Sequence, residues 1–217
     1  MSKLTAIIPA RQFDYNLKNK NLLPFLDTNL LVHKIRQLKA TKQVDTILVC
    51  SDSEEVLKQA VENGAEVFKR QTETEGMDTF SHLIKIVLSQ LSAEHILWTN
   101  CCTPFVDETI YAKAIEMYFK KRGEGYDSLI STLPFKRFVL DDNGALNFRR
   151  GGQHKETNKL NTLYFWISAI AIAKREDMLA WEYTWGNIPF KSNLNEKESL
   201  EIKNAEDLKL AQLYLGE

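Results

Sequence analysis

Long apolar runs are missing from this 217-residue chain. None approaches the roughly 20 consecutive apolar residues that a helix needs to cross a bilayer. The opening stretch, MSKLTAIIPARQ, carries too short an apolar segment for a secretory signal. Cysteine is scarce and odd in number. Cys50, Cys101 and Cys102 all sit in or beside apolar runs, which argues against a disulfide framework and for a reducing compartment. No further ligands stand at zinc-binding spacing. Excess charge of either sign is also lacking: 28 basic side chains face 29 acidic ones. The whole molecule therefore has no bulk attraction to nucleic acid or to an anionic membrane, and an anionic ligand must be held by a local basic cluster. These absences predict a soluble, cytoplasmic protein with neither nucleic acid nor membrane as partner. The familiar nucleotide and nucleophile motifs are absent too. There is no G-x-G-x-x-G after the first strand, no Walker A loop and no G-x-S-x-G. His33, His82, His95 and His154 show no H-E-x-x-H or triad spacing.

What is present is a regular alternation. Leu4 to Pro9 reads as a buried strand and Leu30 to Ala40 as a helix, with Leu31, Ile35 and Leu38 at helical spacing. Ile47 to Cys50 is a second strand. Its following helix is capped by Ser53 and stopped by Gly64. A short strand in AEVFKR, an amphipathic helix in DTFSHLIKIVLSQL, a strand in HILWTNCCTP and a helix in VDETIYAKAIEMYFKKRG continue the pattern. Apolar strands joined by helical crossovers predict one α/β domain, three-layered, with a mostly parallel sheet covered on both faces. The pattern then changes. DSLISTLPF reads as a strand, RFVLDDNGALNFR as a hairpin around Asn143-Gly144, and Gln153 to Thr162 as a loop. WISAIAIAKRE returns to a buried strand, NIPFKS and ESLEI are short strand candidates, and NAEDLKLAQLYL closes with a helix capped by Asn204. Residues 131–165 read as a protruding excursion from this single domain of residues 1–217. Trp98 and Trp166, in apolar strands, read as core.

Ligands of open α/β sheets bind at the carboxyl ends of the strands. Those ends here carry Arg11, Ser51-Asp52, Arg70, and Asn100 with Thr103. The loop after the first strand holds Asn16, Lys18, Asn19, Lys20 and Asn21 and no glycine. Arg11 with Lys18, Lys20 and Asn21 makes a candidate phosphate or carboxylate cradle built from side chains; solvated loop lysines are the plainer alternative.

The order of motifs resembles the cytidylyltransferases that activate acidic sugars, the CMP-sialic acid synthetases and their CMP-Kdo relatives. IPARQFDYNLKNKNL keeps the strand, Pro9, Ala10, Arg11 and the Lys20-Asn21 pair of the pattern A-R-x-x-S-K-G-x-P-x-K-N. LVCSDSEEV is similar to V-S-T-D-x-E-E-I. GAEVFKRQTETEGMDTFS is similar to G-A-E-V-x-x-R-P followed by D-T-A-S, which maps onto Arg70, Asp78, Thr79 and Ser81. NCCTPF resembles Q-P-T-S-P-L, with Asn100 in the glutamine position. LDDNGAL echoes a dimerisation hairpin, and SLEIKNAEDLKLAQ resembles S-I-D-I-D-T-E-x-D-L-x-x-A.

The resemblance implies a nucleotide-diphospho-sugar transferase-like fold, a homodimer and a reaction. A substrate hydroxyl attacks the α-phosphorus of CTP and pyrophosphate leaves, feeding capsule, lipopolysaccharide or other surface-glycan assembly. It implies that Arg11 and Lys20 hold the triphosphate, that Asn21, Asp78, Ser81 and Asn100 serve the nucleotide, and that Arg70 and Asn100 face a small acidic acceptor. It also implies Mg²⁺ bound by the D-I-D carboxylates. The chain departs from the pattern at two places. Asp14-Tyr15-Asn16 replaces S-K-G, and D-I-D reads Glu201-Ile202-Lys203. Glu201 is thus the one metal-ligand candidate left, and Lys203 stands as a catalytic cation in place of a metal or the lost lysine. An inactive nucleotide-binding or assembly subunit is an alternative reading, and a nucleotide-sugar glycosyltransferase is a third.

Overall fold

The computed structural model describes residues 3–11, 17–70 and 80–216. β1 (Leu4–Pro9) leads through a 3-10 turn (Lys20–Leu22) and a small hairpin, β2 (Pro24–Phe25) and β3 (Thr28–Asn29), into α1 (Leu30–Ala40). β4 (Thr46–Ser51), α2 (Glu54–Glu62), β5 (Glu66–Lys69), α3 (Phe80–Leu88), β6 (His95–Trp98) and α4 (Glu108–Arg122) follow. The second half comprises β7 (Ser128–Phe135), the β8 (Leu140–Asp141) and β9 (Gly144–Ala145) hairpin, and β10 (Leu163–Lys174). It closes with α5 (Arg175–Trp181), β11 (Pro189–Asn193) and α6 (Ala205–Leu215).

Seven strands form one sheet in the order β11-β7-β10-β6-β1-β4-β5. All neighbours pair parallel except at β10, which runs antiparallel to both β6 and β7. Side-chain alternation along the strands divides the core into two layers. Ala6, Ile8, Ile47, Val49 and Leu97 join α1, α4 and α6 on one face. Ile7, Leu48, Ile96 and Trp98 join α3 and Met178 of α5 on the other. Strands buried on both faces explain the continuous Val/Ile/Leu runs, and burying each such side chain stabilises the fold by about 1.5–3 kcal/mol. Two helices begin at their expected caps: Ser53 Oγ accepts from Val56 N, and Asn204 forms a reciprocal capping box with Asp207. α4 is capped by Asp107, which accepts from Ile110 N and is not among the sequence-predicted caps. Gly64 stops α2 with φ +76°, a left-handed conformation that favours glycine.

The expected three-layer α/β/α architecture is therefore present, with four local differences. β6 ends at Trp98, so Thr99 to Pro104 form a loop and not the end of a strand. The ESLEI stretch is not a strand. Ser199 N turns back to Asn195 O, and Ile202 N makes a lone bridge of 2.8 Å to Cys102 O. Residues 131–135 and 163–165 belong to the paired strands β7 and β10, so only the stretch between them departs from the sheet. Trp166 is 39% exposed and not core, because β10 runs past the layer there and breaks register between Trp166 and Ala171. Asp78 lies outside the described residues. Among the described residues no helix is long and apolar enough to cross a membrane.

Candidate active site

β1 lies inside the sheet between β6 and β4, and its end is held tightly. Ala10 N donates to Cys50 O at 2.8 Å, and Ser51 Oγ donates back to Ala10 O at 2.5 Å. Arg11 therefore emerges at the carboxyl edge with its backbone fixed. Asn21, buried in the 3-10 turn, donates its amide to Arg11 O at 2.8 Å. This residue thus organises the start of the loop from below. Asn19, just before the turn, takes a left-handed backbone (φ 51°), a conformation asparagine tolerates better than most residues.

Arg70 follows β5 on the same edge. Its backbone N–H bonds Ser51 O at 2.8 Å and its side chain is buried. Burial pushes the Cys50 thiol up to about 12, with Arg70 pulling against it, so the guanidinium lies beside the end of β4. Burial and Cys102 push the Cys101 thiol up, and Lys34 and Lys20 oppose that rise. Lys20 is thus within electrostatic reach of the loop after β6. Ser81, half-buried, lies in the first turn of α3.

The loop after β6 is tied down by side-chain hydrogen bonds. Asn100 Nδ2 donates to Ser168 O (2.8 Å) and Ser168 Oγ (2.7 Å), while its Oδ1 accepts from Cys102 N at 2.9 Å. Ser168, at the register break of β10, directs both its N–H (3.1 Å) and its hydroxyl to Glu201 Oε1. Glu201 Oε2 in turn faces Lys203 Nζ at 2.6 Å. A single chain of contacts thus links Asn100, Ser168, Glu201 and Lys203, three of them named from sequence. Asn100 spends its amide on this scaffold, which makes it a positioning residue for the rim.

Beneath the loop sits a fully buried cation. Lys34 Nζ donates to Thr103 O (2.9 Å), Val106 O (3.2 Å) and Tyr111 Oη (2.9 Å), and Tyr111 also bonds Thr99 Oγ1. Desolvation lowers the Lys34 pKa to about 7.

Next to Asn100 opens a cavity of about 220 Å³, lined by Phe80, Trp98, Trp166, Ser168, Ala171 and Thr184, with Pro9 and Thr99 at its edge. Phe80 stands edge-on to Trp98, and Tyr183 and Trp185 back Trp166. Thr184 Oγ1 is buried and has no hydrogen-bond partner among the described residues. Sequence reading missed this pocket. Its aromatics come from three distant segments, and only the W-x-S spacing of β10 places Trp166 and Ser168 on one face.

A basic edge on parallel strands, beside an aromatic cavity, is a layout fit for an anionic nucleotide and a second substrate. The family model described as Cytidylyltransferase matches residues 5–185. The chain belongs to the cytidylyltransferase family. It is 26% identical to the N-acylneuraminate cytidylyltransferase of Escherichia coli O18:K1:H7 over 97% of its own length, but spans about half (51%) of that longer protein. It is 22% identical to the post-translational flagellin modification protein B of Campylobacter coli, covering all of this chain and 97% of that one. Among solved structures, a CMP:2-keto-3-deoxy-manno-octonic acid synthetase complexed with CTP superposes with a TM-score of 0.73 at 12% identity, over 99% of both chains. The 4-diphosphocytidyl-2C-methyl-D-erythritol synthase of Anaerococcus prevotii follows at 0.70 and 15%, covering this whole chain and 99% of that one. These two show that the cytidylyltransferase shares their fold.

Proposed function

We propose that this chain transfers CMP from CTP to a hydroxyl of a small acidic sugar. The acceptor oxygen forms a bond to the α-phosphorus, the bond from that phosphorus to the bridging oxygen breaks, and pyrophosphate leaves. The hydroxyl proton passes to solvent. Negative charge grows on the phosphate oxygens, so fixed cations are the principal requirement. Arg11 and Lys20 serve the triphosphate. Asn21 fixes the loop that carries them, and Asp78, Ser81 and the Asn100 loop complete the nucleotide side. Arg70 serves the carboxylate of the acceptor. The observation that carries this reading is that Arg11, Arg70 and Asn100 follow the carboxyl ends of β1, β5 and β6 on one edge of the sheet, with Asn100 also lining the aromatic cavity.

The cavity is the natural seat for the less polar part of the acceptor. Its walls are rings, and Thr184 offers one uncommitted hydroxyl. The two curated relatives, one named for N-acylneuraminate and one for flagellin modification, support an acidic sugar destined for surface structures. The working form we propose is a homodimer, with the exposed apolar side chains of the 136–165 stretch against a second copy.

Pyrophosphate release tests the reaction directly. Purified protein is supplied with each nucleoside triphosphate in turn and with sialic-type and octulosonic acids. Release with CTP and one acid, and not with either alone, is the expected result. A thermal-shift screen gives a second reading. A ligand at 100 times its Kd stabilises the native state by about 2.7 kcal/mol, so CTP should raise Tm more than the other triphosphates. No release and no CTP-selective shift would overturn the assignment.

A further inference from the structure

The family resemblance implies a divalent ion held by a carboxylate pair at Glu201 and Lys203, and the groups present do not suit one. Glu201 is the only carboxylate of that pair. Its Oε1 already accepts two hydrogen bonds from Ser168, and its Oε2 is engaged by the Lys203 ammonium. Mg²⁺ asks for near-octahedral oxygen ligation, and a cation entering at Oε2 would have to expel or sit against a positive charge. Among the described residues no three His, Cys, Asp or Glu side chains are grouped to hold an ion.

The pair is built from both sides. Ile202 N bonds Cys102 O, clamping the peptide between Glu201 and Lys203 to the loop after β6. Asp207 Oδ2 accepts from Lys203 N at 2.8 Å and from Asn204 N at 3.1 Å, so the start of α6 fixes the backbone of the lysine. Glu201 has a side chain only 10% exposed, whereas that of Lys203 is 65% exposed. An anchored carboxylate beneath an accessible ammonium presents a positive charge at a set place, at the end of the Asn100–Ser168–Glu201 chain.

We propose that Lys203, seated on Glu201, is the resident cation of this site for the phosphates of the nucleotide, and that the chain binds no divalent ion of its own at Glu201. Any divalent ion that takes part arrives on the nucleotide. This rests on the nucleotidyltransferase reading above.

Mn²⁺ binding, followed by the paramagnetic resonance of free Mn²⁺ without nucleotide, separates the possibilities. The wild-type chain should take up no stoichiometric Mn²⁺. Lys203→Asp, which recreates the carboxylate pair, should gain a site that the added Glu201→Gln change removes. Calorimetry of CTP in EDTA is the second arm. Lys203→Met should weaken binding by about tenfold, the loss expected for one charge-assisted contact, and Lys203→Arg should restore most of it. Melting temperatures within a few degrees of wild type keep the variants comparable. Wild-type uptake of one Mn²⁺ that Glu201→Gln abolishes overturns the inference alone, as does a Lys203→Met chain that binds CTP unchanged in EDTA. A wild-type chain that neither binds CTP nor releases pyrophosphate overturns the parent reading as well.

Discussion

At the scale of single residues, two close approaches carry consequences. A Cβ on Gly186 would stand 2.5 Å from Trp181 Cζ2 and 2.5 Å from Asp127 Oδ2. Trp181 is packed against the α3 face of the core, and Asp127 accepts from Ser128 Oγ and Ile188 N, so neither can retreat without loss. Gly186→Ala should therefore cost about 1–3 kcal/mol, read from the urea midpoint. Asn21 is the second. Its amide ties the 3-10 turn to the end of β1 through Arg11 O. Asn21→Ala leaves a carbonyl without its donor and should lower stability by about 1–2 kcal/mol. It should also raise the KM for CTP more than it lowers kcat, since the loop is loosened and no reacting group is lost. Trp166→Ala should instead raise the KM of the acid and leave that of CTP in place, because the ring walls the cavity and not the basic edge. Arg11, Arg70 and Asn100 were legible as strand-end residues because a parallel sheet puts its ligands there. The use of the Asn100 amide on Ser168 was not legible, since its partner comes from a strand 68 residues away.

At the scale of elements, the sequence showed the long helices through their apolar pattern, and α2 and α6 through the caps Ser53 and Asn204 as well. It did not show β10 as antiparallel or its bulge, because an apolar run reads the same in either direction. Nor did it show Lys34 beneath the loop after β6. Lys34 stands three residues after Leu31 and four before Leu38, on the apolar face of LLVHKIRQLKA, and it is fully buried and bonded to Thr103, Val106 and Tyr111. Burial lowers its pKa to about 7, with Cys101, Cys102 and Asp107 pulling the other way. The unfolded chain keeps the usual lysine value of about 10.4. Between about pH 7 and pH 10 the unfolded state then holds a proton that the native state has released. Stability should rise with pH across that window, and the full cost of the buried ammonium is felt below it. Lys34→Met should flatten the rise, as the difference between wild-type and variant urea midpoints over the window will show. The variant also removes the Lys34 donor from the carbonyls of Thr103 and Val106, so the loop that carries Asn100 should lose order.

At the scale of the whole molecule, the stretch between β7 and β10 together with the start of β10 presents Phe138, Leu140, Leu146, Tyr164 and Phe165 to solvent. Five large apolar side chains on one segment favour burial against another chain. Light scattering should give twice the monomer mass, and Leu140→Asp with Leu146→Asp should return it to one. The hairpin itself was readable from Asn143-Gly144, whereas the stacking of Phe135 on Phe165 at 4.2 Å was not, as it depends on strand register. β10 carries Phe165 on that outer stretch and Trp166, the very next residue, in the wall of the cavity. Neighbours on a strand point to opposite sides, so in the dimer and site proposed above one strand would be held from outside at one residue and from inside at the next. On that proposal association and acid binding would draw on the same short piece of backbone. Reciprocity follows: an acid that steadies Trp166 tightens the union of two copies by the same factor by which that union tightens the acid, and dilution alone should weaken the grip.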